Sequence, residues 1–142
     1  MSWERVELLK ERSRLFLDLA RELLDRGLYD LAAFTAEQAA QLRIKASLLR
    51  LTGEYPRIHY VRELLGVLAY RLEEAGYLSA AKSIREFVGD RRGDLIELEE
   101  AYIGARYGLQ RYIKGRVAAM IRVVEDLFKL LKRVESSVLD TL

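Results

Sequence analysis

The stretch Leu109–Val138, LQRYIKGRVAAMIRVVEDLFKLLKRVESSV, carries apolar side chains at Leu109, Ile113, Val117, Met120, Val124, Leu127, Leu131, Val134 and Val138. Steps of three and four residues return to one face of a helix that turns every 3.6 residues, so the stretch predicts a long helix burying a continuous stripe. A stripe of this length needs neighbours, and the remaining chain supplies them.

Upstream, Val6, Leu9, Ser13, Phe16, Ala20 and Leu23 keep the same spacing, and Gly27 ends that helix. Leu28, Ala32, Thr35, Ala39, Leu42, Ala46 and Leu49 form a second stripe, closed by Gly53 and Pro56. The link between the two is only a few residues, which predicts an antiparallel helical hairpin. Val61, Leu65, Leu68, Leu72 and Ala75 mark a third helix that stops at Gly76. Ala80, Ala81, Ile84, Phe87 and Val88 mark a fourth, and Gly89–Gly93 reads as a turn. Asp94 with Glu97 has the spacing of a capping box and predicts the start of a fifth helix there. Gly104, Gly108 and Gly115 then interrupt the helical run, as a kink or a brief break before the long helix. No period-two stretch or hairpin turn signals a strand. The expectation is an all-α, antiparallel (up-and-down) bundle of about five helices with a long C-terminal helix, forming a single domain over residues 1–142.

Composition narrows the chemistry. The 142-residue chain is 51% hydrophobic and lacks cysteine, which excludes disulfides, cysteine-ligated zinc and thiol nucleophiles. The charged start and the absence of a long apolar run predict neither a secretory leader nor a membrane span, and hence a cytoplasmic protein. A net charge of +2 is too small for a duplex-binding surface, so any anion site must be local. Arginine outnumbers lysine three to one and asparagine is absent, which points to a heat-adapted source.

Three places hold residues suited to chemistry. Gln38, Gln41 and Lys45 fall on one line of the second helix, together with Leu31, Phe34 and Leu48. Buried amides and an ammonium must find partners, so this line is either a hydrogen-bond network between helices or subunits, or a ligand site. His59 is the only histidine and cannot build a multi-imidazole metal site; it either buttresses the third helix or acts as an acid or base with a partner. Between Arg106 and Arg116 the chain has Arg106, Arg111, Lys114 and Arg116, with Tyr107 and Tyr112 and no acid. Guanidiniums bind phosphate and tyrosines stack on bases, although the acids at Asp94, Glu97, Glu99 and Glu100 could neutralise this cluster instead. No phosphate-binding glycine loop or metalloprotease motif is present, and no metal or cofactor is expected.

Taken in order, these segments resemble the HEPN domain family over roughly residues 10–135. The likeness lies in Leu23–Leu24 with Gly27–Phe34, in Gln38–Ala46 with Gln41 where a glutamate is commoner, in Gly53, Pro56 and His59, and in Arg106–Tyr107, where Gly108 replaces a family proline. The resemblance implies a helical bundle that commonly dimerises and is often encoded beside a nucleotidyltransferase, some members being metal-independent RNases or toxins. Those RNases resemble one another in an arginine and a later histidine with four to six residues between them. Glu54, Gly53 and Thr52 occupy the corresponding positions before His59, so that motif is absent.

The expectation is therefore a non-catalytic nucleotide- or RNA-binding homodimer, partner to a nucleotidyltransferase in a toxin–antitoxin-like pair. Gln38, Lys45, His59, Arg106, Tyr107 and Arg111 are the expected ligand-binding residues. One alternative is a metal-independent RNase with a non-standard site built on His59 with Arg57 or Arg106. The other is a helical dimerisation or interaction module without a small ligand.

Overall fold

The computed structural model describes residues 3–140, and helices account for most of them. They are α1 (Trp3–Asp25), α2 (Tyr29–Thr52), α3 (Val61–Glu74), α4 (Leu78–Asp90), α5 (Arg92–Tyr107) and α6 (Lys114–Leu139), with no strand among the described residues. The fold is the expected all-α bundle with a long C-terminal helix. The described residues form six helices because α5 and α6 are separated by residues 108–113.

Two of the short connections have a backbone reason in a left-handed glycine. Gly27 adopts φ 76°, and Leu28 N–H donates to Leu23 O at 2.9 Å while Gly27 N–H donates to Leu24 O at 3.0 Å. This left-handed cap satisfies carbonyls that the end of α1 would leave open and turns the chain back on itself. Gly76 repeats the device at the end of α3, with φ 90° and Tyr77 N–H bonded to Leu72 O at 2.8 Å.

Val6 and Leu9 near the start of α1 cluster with Ala46 and Leu49 near the end of α2, so the two helices run antiparallel as expected. The remaining core is contiguous and draws buried side chains from all six helices. In α3, Leu64, Leu65 and Leu68 are fully enclosed, each contributing about 1.5–3 kcal/mol relative to an exposed side chain.

A single apolar stripe underestimates α2. Its buried residues include Ala32, Ala33, Ala36, Ala39, Ala40, Ile44 and Leu48, and α1, α3, α5 and α6 all pack on it. Alanine on every side lets neighbouring helices approach closely, and a helix enclosed all round loses the one-sided pattern of a surface helix. α2 is the axis of the bundle.

A buried ionic junction ties three helices together at one end of the bundle. Glu135 of α6 accepts from Lys10 Nζ at 2.7 Å, from Arg43 Nη1 at 2.8 Å and from Ser47 Oγ at 2.8 Å, joining α1, α2 and α6. Burial alone would raise the Glu135 carboxyl, but the Arg43 charge and these hydrogen bonds outweigh it and hold the group below the usual carboxylate range.

Three sequence expectations meet different geometry. The turn expected over Gly89–Gly93 narrows to Arg91, since α4 runs on to Asp90 and α5 takes in Gly93. α5 begins at Arg92 rather than Asp94, and no side chain caps it. Asp94 and Glu97 instead bind Arg116 across the helix pair, the first at 2.8 Å. The periodicity at Leu109 and Ile113 does not continue the long helix: the backbone is extended at Ile113, and both side chains are exposed.

Candidate functional site

Glu37, Gln38, Gln41 and Lys45 lie within three turns of α2, on the side facing the end of α5. Glu37 is 0% exposed. Gln38 Nε2 donates to Glu37 Oε1 at 2.8 Å, Gln41 Nε2 donates to Glu37 Oε2 at 2.5 Å, and Lys45 Nζ donates to Gln41 Oε1 at 3.4 Å. The result is a polar ladder along one helix, with a buried carboxylate at its centre.

That carboxylate forms no ion pair among the described residues. Burial pushes the Glu37 carboxyl up to about 7, against the hydrogen bonds from Gln41 and Gln38 and the more distant charges of Lys45 and Arg106. Removing a carboxylate from water disfavours its charged form, and neutral amides compensate less than a guanidinium in contact would. Lys45 is lowered for the same reason, desolvation outweighing the pull of Glu37.

The cation at the other end of the ladder comes from α5. Arg106 Cζ lies 4.9 Å from the Phe34 ring centroid and 5.0 Å from those of Tyr102 and Tyr107. Its Nε and Nη2 donate to Tyr102 O at 2.9 and 2.5 Å, curling the side chain back over its own helix. No carboxylate ion pair engages Arg106 among the described residues, and the residue remains exposed. His59, also exposed, stacks on Tyr102 with centroids 5.5 Å apart and planes 8° from parallel. At the far end, Lys45 Nζ sits 5.7 Å from the Tyr55 ring, whose hydroxyl accepts from Arg5 at 2.8 Å.

Five of the six expected ligand residues therefore fall in two neighbouring contact groups, Gln38 and Lys45 on the ladder, and Arg106 with Tyr107 and, through Tyr102, His59, the charge of Arg106 reaching Glu37 between them. Arg111 does not join them. It lines a separate hollow of about 280 Å³ with Gly27, Tyr29 and Asp30 at the α1–α2 turn. Tyr112, expected to offer a stacking face, is buried, its backbone N–H donating to Asp30 Oδ1 at 3.0 Å. Arg116 is neutralised by Asp94 and Glu97, as the ion-pairing alternative had it.

Glu37 is the site residue that sequence reading passed over. Its spacing of four from Gln41 and eight from Lys45 put it on the same line, but only the packing of neighbouring helices reveals that it is enclosed.

A family model of the HEPN domain matches residues 6–134. The chain belongs to the HEPN domain family. No curated protein matches it. In this HEPN domain Gly108, standing at the family's proline, has φ −75° and ψ 162°, the backbone that proline favours. Its N–H nevertheless donates to Gly104 O at 2.9 Å, a bond that proline could not make. Where the family commonly has glutamate at the position of Gln41, the carboxylate of this line is Glu37, one turn earlier. Among the described residues no helix is long and apolar enough to cross a membrane, and no group of three or more His, Cys, Asp or Glu is arranged to hold a metal ion.

Proposed function

We propose that this HEPN domain is a cytoplasmic, non-catalytic nucleotide- or RNA-binding protein that works as a homodimer beside a nucleotidyltransferase, in the manner of a toxin–antitoxin pair. The observation that carries the reading is Arg106: an exposed guanidinium held against three aromatic rings, without a carboxylate partner among the described residues, above the amide and ammonium ladder of α2. A guanidinium recognises phosphate through paired N–H donors, and the neighbouring Tyr107 and His59 rings offer faces to a base. Lys45 supplies a second cation along the same line. His59 stacks flat on Tyr102, an arrangement suited to extending a stack.

Binding to the native state alone stabilises it by about 2.7 kcal/mol at a ligand concentration one hundred times the dissociation constant. ATP, GTP or a short single-stranded RNA should therefore raise the melting temperature of the wild type, and Arg106→Ala should remove the rise. No rise with any of them at millimolar concentration refutes the binding reading.

A second reading, a protein-docking module, draws on Leu109, Ile113 and Tyr107, whose relative exposures are 101%, 64% and 74%. Exposed apolar side chains gathered beside one turn suit a partner surface. Light scattering that finds only monomer at every concentration refutes its homodimeric form.

A further inference from the structure

The ladder on α2 is asymmetric in what it offers a ligand. An ionised carboxylate is acceptor-only, and both oxygens of buried Glu37 are occupied by amide nitrogens, one from Gln38 and one from Gln41. With one N–H of each Nε2 turned onto Glu37, each amide keeps a second N–H, and its carbonyl oxygen points away from the buried carboxylate. Gln41 Oε1 accepts from Lys45. Gln38 Oε1 accepts nothing among the described residues, and no buried side-chain oxygen or nitrogen there lacks a partner, so this oxygen reaches solvent. Rotating Gln38 by half a turn would aim its carbonyl at the Glu37 carboxylate and strip a buried oxygen of its donor.

Phe34, carrying Arg106 over its ring, lies one turn before Gln38, and Lys45 lies about 10 Å beyond it along the helix axis. An outward carbonyl thus sits between two cations. It repels phosphate oxygens and accepts from N–H or O–H groups.

We propose that Glu37 is a positioning residue that holds Gln38 with its carbonyl outward, making the site selective for a nucleotide that presents a hydrogen-bond donor beside phosphates held by Arg106 and Lys45. The donor is an exocyclic base amine or a ribose hydroxyl. This selectivity rests on the nucleotide reading above and adds a requirement to it.

The test is calorimetric titration at pH 8.5, where Glu37 is ionised, with ATP, ITP and 2′,3′-dideoxy-ATP. Wild type should bind one of the two analogues about tenfold more weakly than ATP: ITP if the amine is read, the dideoxy compound if the ribose is. Glu37→Met fills a similar volume without acceptors and should bring the three affinities within about twofold while triphosphate binding persists. Gln38→Met should do the same. Equal wild-type affinities for all three ligands, or a tenfold preference surviving Glu37→Met, overturns the proposal.

If wild type binds none of them, the nucleotide reading falls, and the positioning role is read without ligand. The side-chain amide protons of Gln38 and Gln41 should then be shifted and protected from exchange in wild-type NMR spectra. Sharp, unshifted signals there overturn the positioning role, whether or not the Glu37→Met variant folds.

Discussion

Glu37 makes stability depend on pH in a direction unusual for a carboxylate. The group titrates near 7 in the folded chain against an ordinary value of 4.5, so throughout that interval the native state holds the proton more tightly than the unfolded chain. A group raised in this way contributes its full stability below about 4.5, and that contribution is lost as pH rises through about 7. At about 1.4 kcal/mol per pH unit, the loss across the interval is about 3 kcal/mol. Glu37→Gln keeps the shape and cannot titrate. Thermal unfolding of both proteins at pH 5 and pH 8.5 isolates the effect, since every other group is common to the pair. The variant should gain on wild type by about 10 °C between the two conditions, from about 2–4 °C per kcal/mol for a domain of this size. Equal differences in melting temperature at pH 5 and pH 8.5 would refute the reasoning, because a buried, unpaired carboxylate could not then be present.

Three further outcomes follow from the fold. Glu135→Ala leaves Arg43 and Lys10 without their carboxylate and should cost about 3–5 kcal/mol in urea unfolding at pH 7. Because the Glu135 carboxyl is held low, this loss should shrink as pH falls below about 4.5 and wild-type Glu135 itself becomes protonated. Gly108→Ala places a Cβ 2.8 Å from Gly104 O and 3.2 Å from Gly104 Cα, and should lower stability by about 1–3 kcal/mol, read from the denaturation midpoint. Arg116→Ala removes two exposed ion pairs and should change stability by no more than about 1 kcal/mol, with the difference vanishing in 1 M salt.

The fold was legible where side-chain spacing and burial coincide. Of the first stripe Val6, Leu9, Ser13, Ala20 and Leu23 lie buried, while Phe16 is half-buried and Leu17 takes its place in the core, and Gly27, Gly53 and Gly76 each adopt the left-handed cap that stops a helix. Spacing failed where it continued past the helix itself. Leu109 and Ile113 keep the period of α6, but the start of that helix is set by residues 108–113, anchored through Tyr112 to Asp30 some eighty positions earlier. Asp94 and Glu97 have the interval of a capping box and yet serve Arg116, because α5 starts at Arg92 and leaves Asp94 inside the first turn rather than at the cap.

The candidate site was legible in its parts and not in its centre. Gln38, Lys45 and Arg106 stand out by type and spacing, whereas a glutamate in a helix ordinarily reads as surface. Enclosure by neighbouring helices is what turns Glu37 into the group that orients the others.

The junction at Glu135 bears on the order in which the chain is made. Arg43 and Ser47 emerge from the ribosome some ninety residues before their acceptor, and Lys10 earlier still. Until α6 arrives, Arg43 and Lys10 have no Glu135 to pair with, so the contact that joins α1, α2 and α6 is the last of these to form.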